Sequence, residues 1–291
     1  MIDLRKKIGI IGCGNMGSAI ARNLALLKSE FSVFAFDQDK DKLIGIPGIG
    51  IAKDLKDLLE ESETIILAVK PQDFDHLLKE VKKGSGNKLI ISIAAGISTK
   101  RIEKVLGGQI RVIRAMPNIG VKVGESVTCL AKGAFATDED LDLAQELFNS
   151  LGAARIIDEG MMNAATAISG SGPAYIFYFI ENSAFDSESI PEHARHDMMR
   201  RLEKAAEDLG FSLEDAAFLA ANTTNASISL LHKTKLPAQE LRKQVTSKGG
   251  TTEAALEILT KGGSWEEAAR SALKRAEELA RPFAELRVNW R

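Results

Sequence analysis

This 291-residue sequence has little cysteine, little net charge and no long apolar run. Only Cys13 and Cys129 are present, and they form neither a metal-ligand spacing nor a disulfide framework. A reducing compartment, the cytoplasm, is the expectation. Lys and Arg number 38 against 40 Asp and Glu, a net charge of −2, so no global electrostatic case exists for a nucleic-acid or anionic-membrane partner. Acidic and basic residues are interspersed, as on solvated helix faces. No stretch approaches the roughly 20 apolar residues that span a bilayer. The charged start, Met1 to Lys7, runs straight into a strand-like segment and lacks the features of a signal peptide. The four histidines, His76, His193, His196 and His232, have no zinc or triad spacing. His193 and His196 could pair at i, i+3, but no third ligand is evident, so no metal is expected. Ser169 and Ser171 lack a His–Asp relay, which argues against a hydrolase.

What is present reads as a soluble α/β protein: 45% apolar and 27% charged residues, enough for one large domain or two smaller ones. Strand-like runs occur at Lys7–Ile11, Phe31–Phe36, Thr64–Val69, Leu89–Ile93, Arg111–Met116 and Ser126–Ala131, separated by amphipathic stretches such as Ser18–Leu27. Alternating strands and helices predict βαβ units and a parallel sheet, and continuous apolar runs predict a sheet covered on both faces. After about Asp158 only helical spacing remains, over Met161–Asn182, Pro191–Leu209, Leu213–His232 and Ser264–Val288. The expected division is a Rossmann-type dinucleotide-binding domain over 1–160 and an all-helical domain over 161–291. Trp265, Trp290 and the aromatic run Tyr175, Phe177, Tyr178 and Phe179 read as packing residues, the aromatic run in the core or at a dimer interface.

Gly12-Cys13-Gly14-Asn15-Met16-Gly17 follows a strand and opens a helix, the context that a dinucleotide fingerprint needs. Gly12 permits the tight turn, Gly14 the approach of a pyrophosphate, and Gly17 close packing of helix on strand. The helix N-terminus adds unpaired N–H groups and a favourable dipole. Asp37, twenty residues after Gly17, could accept from a ribose diol and repel a 2′-phosphate, which favours NADH; Lys40 and Lys42 nearby could still serve NADPH, so the choice stays open. Ala68-Val69-Lys70-Pro71 and Ala94-Ala95-Gly96 end later strands, where ligands of open α/β sheets lie, and Asn118 ends another and could bond nicotinamide or substrate. Cys13 and Cys129 read as small packing residues.

Two motifs stand out in the helical half. In Ile168-Ser169-Gly170-Ser171-Gly172-Pro173-Ala174-Tyr175, glycines and a proline interrupt a helical run at a cost in stability, which suggests a break with a purpose. In Val245-Thr246-Ser247-Lys248-Gly249-Gly250-Thr251-Thr252, hydroxyls and glycines precede a helix. Such a turn could be a nest of N–H donors for a small carboxylate or an elaborate N-cap, and the spacing leaves both open.

Together the segments GIIGCGNMGSAIA, LAVKPQ, SIAAG, RAMPN, AISGSGPAYIF and VTSKGGTTEAAL resemble, in order and over essentially the whole chain, the pyrroline-5-carboxylate reductase family. The resemblance implies reduction of 1-pyrroline-5-carboxylate to proline, the last step of proline biosynthesis, with NADH or NADPH. It also implies a helical domain that makes a homodimer and larger assemblies. It places the substrate carboxylate at Ser247, Gly249, Gly250, Thr251 and Thr252, and the Thr252 hydroxyl near the imine nitrogen as the catalytic group. Lys248 stands where the family has proline, Ile119-Gly120 where it has Thr-Pro, and Thr234 where many members have glutamate. About 20 extra residues are expected near 182–203. Alternatives are a reductase of a related cyclic imino acid and a catalytically silent nicotinamide-binding dimer. A β-hydroxyacid dehydrogenase would need a lysine on the helix over Met161–Asn182, and that stretch contains none.

Overall fold

The computed structural model describes residues 6–185 and 189–284, apart from the side chains of Gln72 and 282–284. Trp290, the end of the helix expected to reach Val288, and part of the extra segment near 182–203 lie outside the described residues.

The chain forms two compact units. One comprises the residues up to Ala115 together with Leu130–Leu151; the other comprises Met116–Cys129 and the residues from Gly152 onward. In chain order the elements of the first half are β1 (Lys6–Ile11), α1 (Asn15–Leu26), β2 (Phe31–Phe36), β3 (Gly50–Ile51), α2 (Leu55–Glu61), β4 (Thr64–Leu67), α3 (Phe74–Val81), β5 (Leu89–Ser92), α4 (Thr99–Leu106), β6 (Arg111–Met116), β7 (Ser126–Lys132) and α5 (Asp138–Asn149). Then come β8 (Gly152–Ile156), α6 (Met162–Ala165), a single π-turn over Thr166–Gly170, α7 (Gly172–Glu181), α8 (Glu192–Asp208), α9 (Leu213–Thr234), α10 (Ala238–Val245), α11 (Thr251–Leu259) and α12 (Trp265–Ala284).

Strands run in the order β3-β2-β1-β4-β5-β6-β7-β8, and the pairs from β3 to β6 are parallel. β4 and β5 are buried at every position, which explains their unbroken apolar runs: helices cover both faces. β2 alternates buried and half-buried residues, so one of its two faces is less fully covered than the other. The order reverses between β1 and β4, and ligands of such sheets bind beyond the carboxyl ends of the strands at that switch point. Two strands had no clear signal in the sequence. β3 is too short for a period, and β8 (GAARI) is Gly/Ala-rich and shows only one fully buried position.

In the second unit Tyr175 and Phe177 are wholly buried, and the Tyr175 ring meets Trp265 edge-on at 5.8 Å, a geometry that favours aromatic pairs. Tyr178 and Phe179 are half-buried, and the Phe179 ring meets Trp265 edge-on as well, at 6.4 Å. The motif that interrupts the helical run is the π-turn: the Ser171 N–H donates to the Thr166 carbonyl five residues back, at 2.8 Å. Single π-turns are uncommon and concentrate at functional sites. Pro173 falls in the first turn of α7, where its missing N–H costs nothing.

Candidate active site

The first unit presents the glycine loop at the end of β1. Gly12 has φ +96°, and a Cβ there would lie 2.8 Å from the Ala68 carbonyl oxygen and 2.9 Å from Val69 Cγ1. A Cβ on Gly17 would lie 1.9 Å from the Gly12 carbonyl oxygen. These two glycines exist for packing, and Ala68 and Val69 are the surface they pack on. Gly14 differs: a Cβ there would meet nothing within 4 Å. It is exposed, and it begins α1 without any side-chain cap. The first N–H groups of α1, from Asn15, Met16 and Gly17, therefore have no intrahelical acceptor, and the helix start at Gly14 and Asn15 is exposed. That is the shape and polarity of a phosphate seat.

Asp37, at the end of β2, turns toward this loop. Its Oδ2 accepts the Cys13 N–H at 2.7 Å, and its Oδ1 accepts the Asp39 N–H at 2.9 Å and Lys42 Nζ at 3.2 Å. Burial alone would raise the Asp37 pKa, but the Cys13 and Asp39 N–H groups and Lys42 outweigh it and hold the carboxyl below 3.8. Cys13 corrects one expectation. Its N–H already belongs to Asp37, and burial, with the Asp37 charge, pushes its thiol up to about 12. It braces the loop, and the loop's outward donors come from the residues after it. Beyond β4 Lys70 is exposed and Pro71 starts a short 3₁₀ turn, and beyond β5 Ala95 is exposed and Gly96 has φ +75°. Ala94 is buried, and its N–H donates to Ser92 Oγ at 3.3 Å.

The second unit presents the turn before α11. This helix starts at Gly250, again without a side-chain cap. Gly249 has φ +69°, and its N–H donates to Glu253 Oε2 at 2.7 Å; the Gly250 N–H donates to the Ser247 carbonyl at 3.0 Å. Both glycine amides, expected as substrate donors, thus hold the turn's own shape. The N–H groups left without an intrahelical acceptor are those of Thr251, Thr252 and Glu253. Arg275 Nε donates to the Gly249 carbonyl at 2.8 Å and fixes the turn from α12. Ser247 and Lys248 are exposed.

Thr252 is buried, and its hydroxyl donates to Ser171 Oγ at 3.1 Å; Ser171 Oγ also shares a hydrogen bond with Thr251 Oγ1 at 3.0 Å. The two motifs of the helical half therefore meet in one cluster of three hydroxyls. Asn118 belongs to the same unit and is also buried. Its Oδ1 accepts the Gly120 and Val127 N–H groups at 3.0 and 3.1 Å, and its Nδ2 donates to the Ser169 carbonyl at 3.0 Å. The side chain expected to bond a ligand instead ties the β6–β7 turn to the π-turn. Thr234 bonds back to the Leu230 carbonyl at 2.7 Å, and Ile119 is buried in the short helical turn after Asn118.

Sequence reasoning did not assign roles to Ser171, Glu253 or Arg275. Glu253 had a local signal, since a glutamate at the third helical position commonly reaches back to an N–H before the helix. Arg275 had none, being 26 residues from the carbonyl it holds. Among the described residues no helix is long and apolar enough to cross a membrane, and no three His, Cys, Asp or Glu side chains group as metal ligands.

Comparison with known proteins agrees with this geometry. Residues 7–96 match the family described as NADP oxidoreductase coenzyme F420-dependent. Residues 159–187 and 196–281 match the one described as pyrroline-5-carboxylate reductase dimerisation, and the unmatched gap falls within the expected extra segment. The chain is 34% identical over 264 residues to pyrroline-5-carboxylate reductase of Aquifex aeolicus, covering 90% of this chain and 92% of that one. It is 35% identical over 264 residues to the enzyme of that name from Methanosarcina acetivorans, covering 89% and 91%. A crystal structure of Plasmodium falciparum pyrroline carboxylate reductase with NADP bound aligns with TM-score 0.62 at 25% identity, over 96% of this chain and all of that one. A glycine loop open to phosphate, a hydroxyl-lined helix start and relatives of this similarity along nine-tenths of the sequence give one conclusion: the chain belongs to the pyrroline-5-carboxylate reductase family.

Proposed function

We propose that this protein reduces 1-pyrroline-5-carboxylate to proline, the last step of proline biosynthesis, using a reduced nicotinamide dinucleotide. The observation that carries the reading is the start of α11, an uncapped helix N-terminus whose Thr252 hydroxyl is buried beside Ser171. The similarity to the reductases of Aquifex aeolicus and Methanosarcina acetivorans supports it.

The residues of the first unit fit the cofactor, because Gly14 leaves a cradle that any Cβ would begin to fill, directly before an uncapped helix. The bound cofactor supplies the hydride. Asn15, Met16 and Gly17 offer N–H groups to the pyrophosphate. Lys70, Ala95 and Gly96 line the strand ends, with Ala95 and Gly96 small enough for close contact with a flat ring. Asp37 accepts from a ribose diol and repels a 2′-phosphate, which favours NADH, while Lys42 offsets part of that charge.

In the second unit the N–H groups of Thr251, Thr252 and Glu253, the helix dipole and the Ser247 hydroxyl hold the substrate carboxylate. Thr252 Oγ1 then lies by the ring nitrogen. A threonine hydroxyl is a poor general acid near neutrality, since a catalytic pKa works best near the operating pH. Thr252 therefore orients the nitrogen by a hydrogen bond, and the basic imine takes its proton from water. Holding the imine carbon in near-attack geometry contributes up to about 7–11 kcal/mol toward the barrier. The protein works as a cytoplasmic homodimer or larger homo-oligomer: the dimerisation-family match supports the assembly, and two buried free thiols fit a reducing compartment.

The test is proline formation by the purified protein from 1-pyrroline-5-carboxylate with NADH and with NADPH. Turnover with both, faster with NADH, is expected. Binding of both nucleotides with no proline formed would overturn the reading in favour of a silent nucleotide-binding dimer.

A further inference from the structure

Ser171 closes the π-turn, is 1% exposed and lies at the centre of the hydroxyl cluster. We propose that it is a positioning residue: it fixes the direction of the Thr252 hydroxyl, so that the site selects the protonated, iminium form of the cyclic imino acid. The inference rests on the reading of α11 as the substrate site and extends it to the substrate's protonation state.

A hydroxyl has one proton to give and two lone pairs. Among the described residues Ser171 is the hydrogen-bond partner of the Thr252 hydroxyl, and Thr252 is the donor at 3.1 Å. With its proton turned inward, Thr252 Oγ1 presents only lone pairs to a ligand. A lone pair accepts the N–H of an iminium and has nothing to give a neutral imine nitrogen, which is itself an acceptor. Ser171 cannot easily swing away. Its N–H is held by the Thr166 carbonyl at 2.8 Å, its Oγ is engaged by Thr251 at 3.0 Å, and Asn118 Nδ2 holds the Ser169 carbonyl of the same turn at 3.0 Å.

The chemistry balances without a proton from the protein. The iminium brings its own proton. The hydride forms a C–H bond at the imine carbon, and the C=N π pair moves onto nitrogen. The product is a neutral secondary amine whose N–H still points at Thr252, and solvent protonates it after release.

Two measurements test this, one of them independent of turnover. Proline carries N–H donors on its ring, whereas cyclopentanecarboxylate has the same ring size and carboxylate but no nitrogen. Calorimetry on the wild-type protein should show proline bound at least about ten-fold more tightly, in line with a hydrogen bond to a charged donor. Ser171→Ala frees the Thr252 proton to turn outward and should erase that preference. In turnover, Ser171→Ala should lower kcat/KM at least about ten-fold at neutral pH and flatten its fall at alkaline pH. The same change in a Thr252→Val background should cost less than about two-fold, because the pair acts as one unit. Ser171→Cys, of similar size and still a weak acceptor, should recover part of the activity, and it keeps the test usable if the alanine variant folds poorly. Multiplicative effects of Ser171→Ala and Thr252→Val, or an unchanged preference for proline in Ser171→Ala, would overturn the proposal. A protein that shows the Ser171-dependent preference yet makes no proline would support the positioning role and overturn the reductase reading.

Discussion

The two helix starts of this chain, α1 and α11, use the same property in different ways. Both begin at a glycine in extended conformation, both lack a side-chain cap, and both therefore offer unpaired N–H groups and a positive dipole end. At α1 the capping glycine stands free: nothing would meet a Cβ on Gly14, so a bulky phosphate can come to the backbone itself. At α11 the capping glycine is packed, its Cβ position 2.3 Å from Ser247 Oγ, and the turn before it is stapled by Glu253 and Arg275. Under the proposed function, the first site selects by leaving room, and the second by placing hydroxyls, as a small ring with one carboxylate and one nitrogen requires.

Substitutions at the two starts should separate along that line. Thr252→Ala carries the largest expected effect: loss of the orienting hydrogen bond lowers turnover about 10²-fold, while the nucleotide dissociation constant, read by fluorescence titration, stays within two-fold. Unchanged turnover would remove Thr252 from the mechanism and collapse the contrast. Gly14→Val should weaken nucleotide binding at least about ten-fold by filling the seat, with little change in melting temperature, because φ is −70° there and the site is open. A variant that binds nucleotide normally would show that the phosphates lie elsewhere. Asn118→Ala removes a buried amide that serves three backbone groups and should destabilise the protein by about 3 kcal/mol in urea unfolding. Asp37→Ser should shift the ratio of NADH to NADPH efficiency toward NADPH by several-fold; an unaltered ratio would show that Asp37 does not select. The smallest effect concerns acid. The Asp37 pKa is held below 3.8 in the folded protein, so its contribution to stability is present above that pH and is lost as pH falls through the folded value. The melting temperatures of wild type and Asp37→Asn should differ at neutral pH and converge in acid.

Much of this was legible because its physics is local. β4 and β5 announce themselves as short runs in which every residue is buried, and Gly12, Gly14 and Gly17 sit at the spacing of a strand–turn–helix dinucleotide fingerprint, directly after an apolar run and before a helical one. The helical half was recognisable by its period, and α8 and α9 begin and end within two residues of the expected positions. β8 was not legible, since a Gly/Ala-rich segment becomes a strand only when a neighbour supplies the ladder. Asn118 was misjudged for a related reason. A polar residue at a strand end looks the same whether it faces a ligand or the Gly120, Val127 and Ser169 backbone groups, and sequence spacing says nothing about the last, 51 residues away. Gly249 takes a positive φ and Gly250 is packed against Ser247 Oγ, and the amides of both turn inward rather than toward a ligand.

The sequence alone determined the alternation of strands and helices, the glycine turn between β1 and α1 and the presence of a hydroxyl-rich turn before a helix, because each depends on steric and hydrogen-bonding rules that act over a few residues. Tertiary structure decided which donors remain available. It gave the Cys13 N–H to Asp37, aimed Arg275 at the Gly249 carbonyl, and brought Ser171 to Thr252 across 81 positions of chain. A hydrogen bond needs its partners within about 3 Å, and only the folded chain brings such distant residues that close.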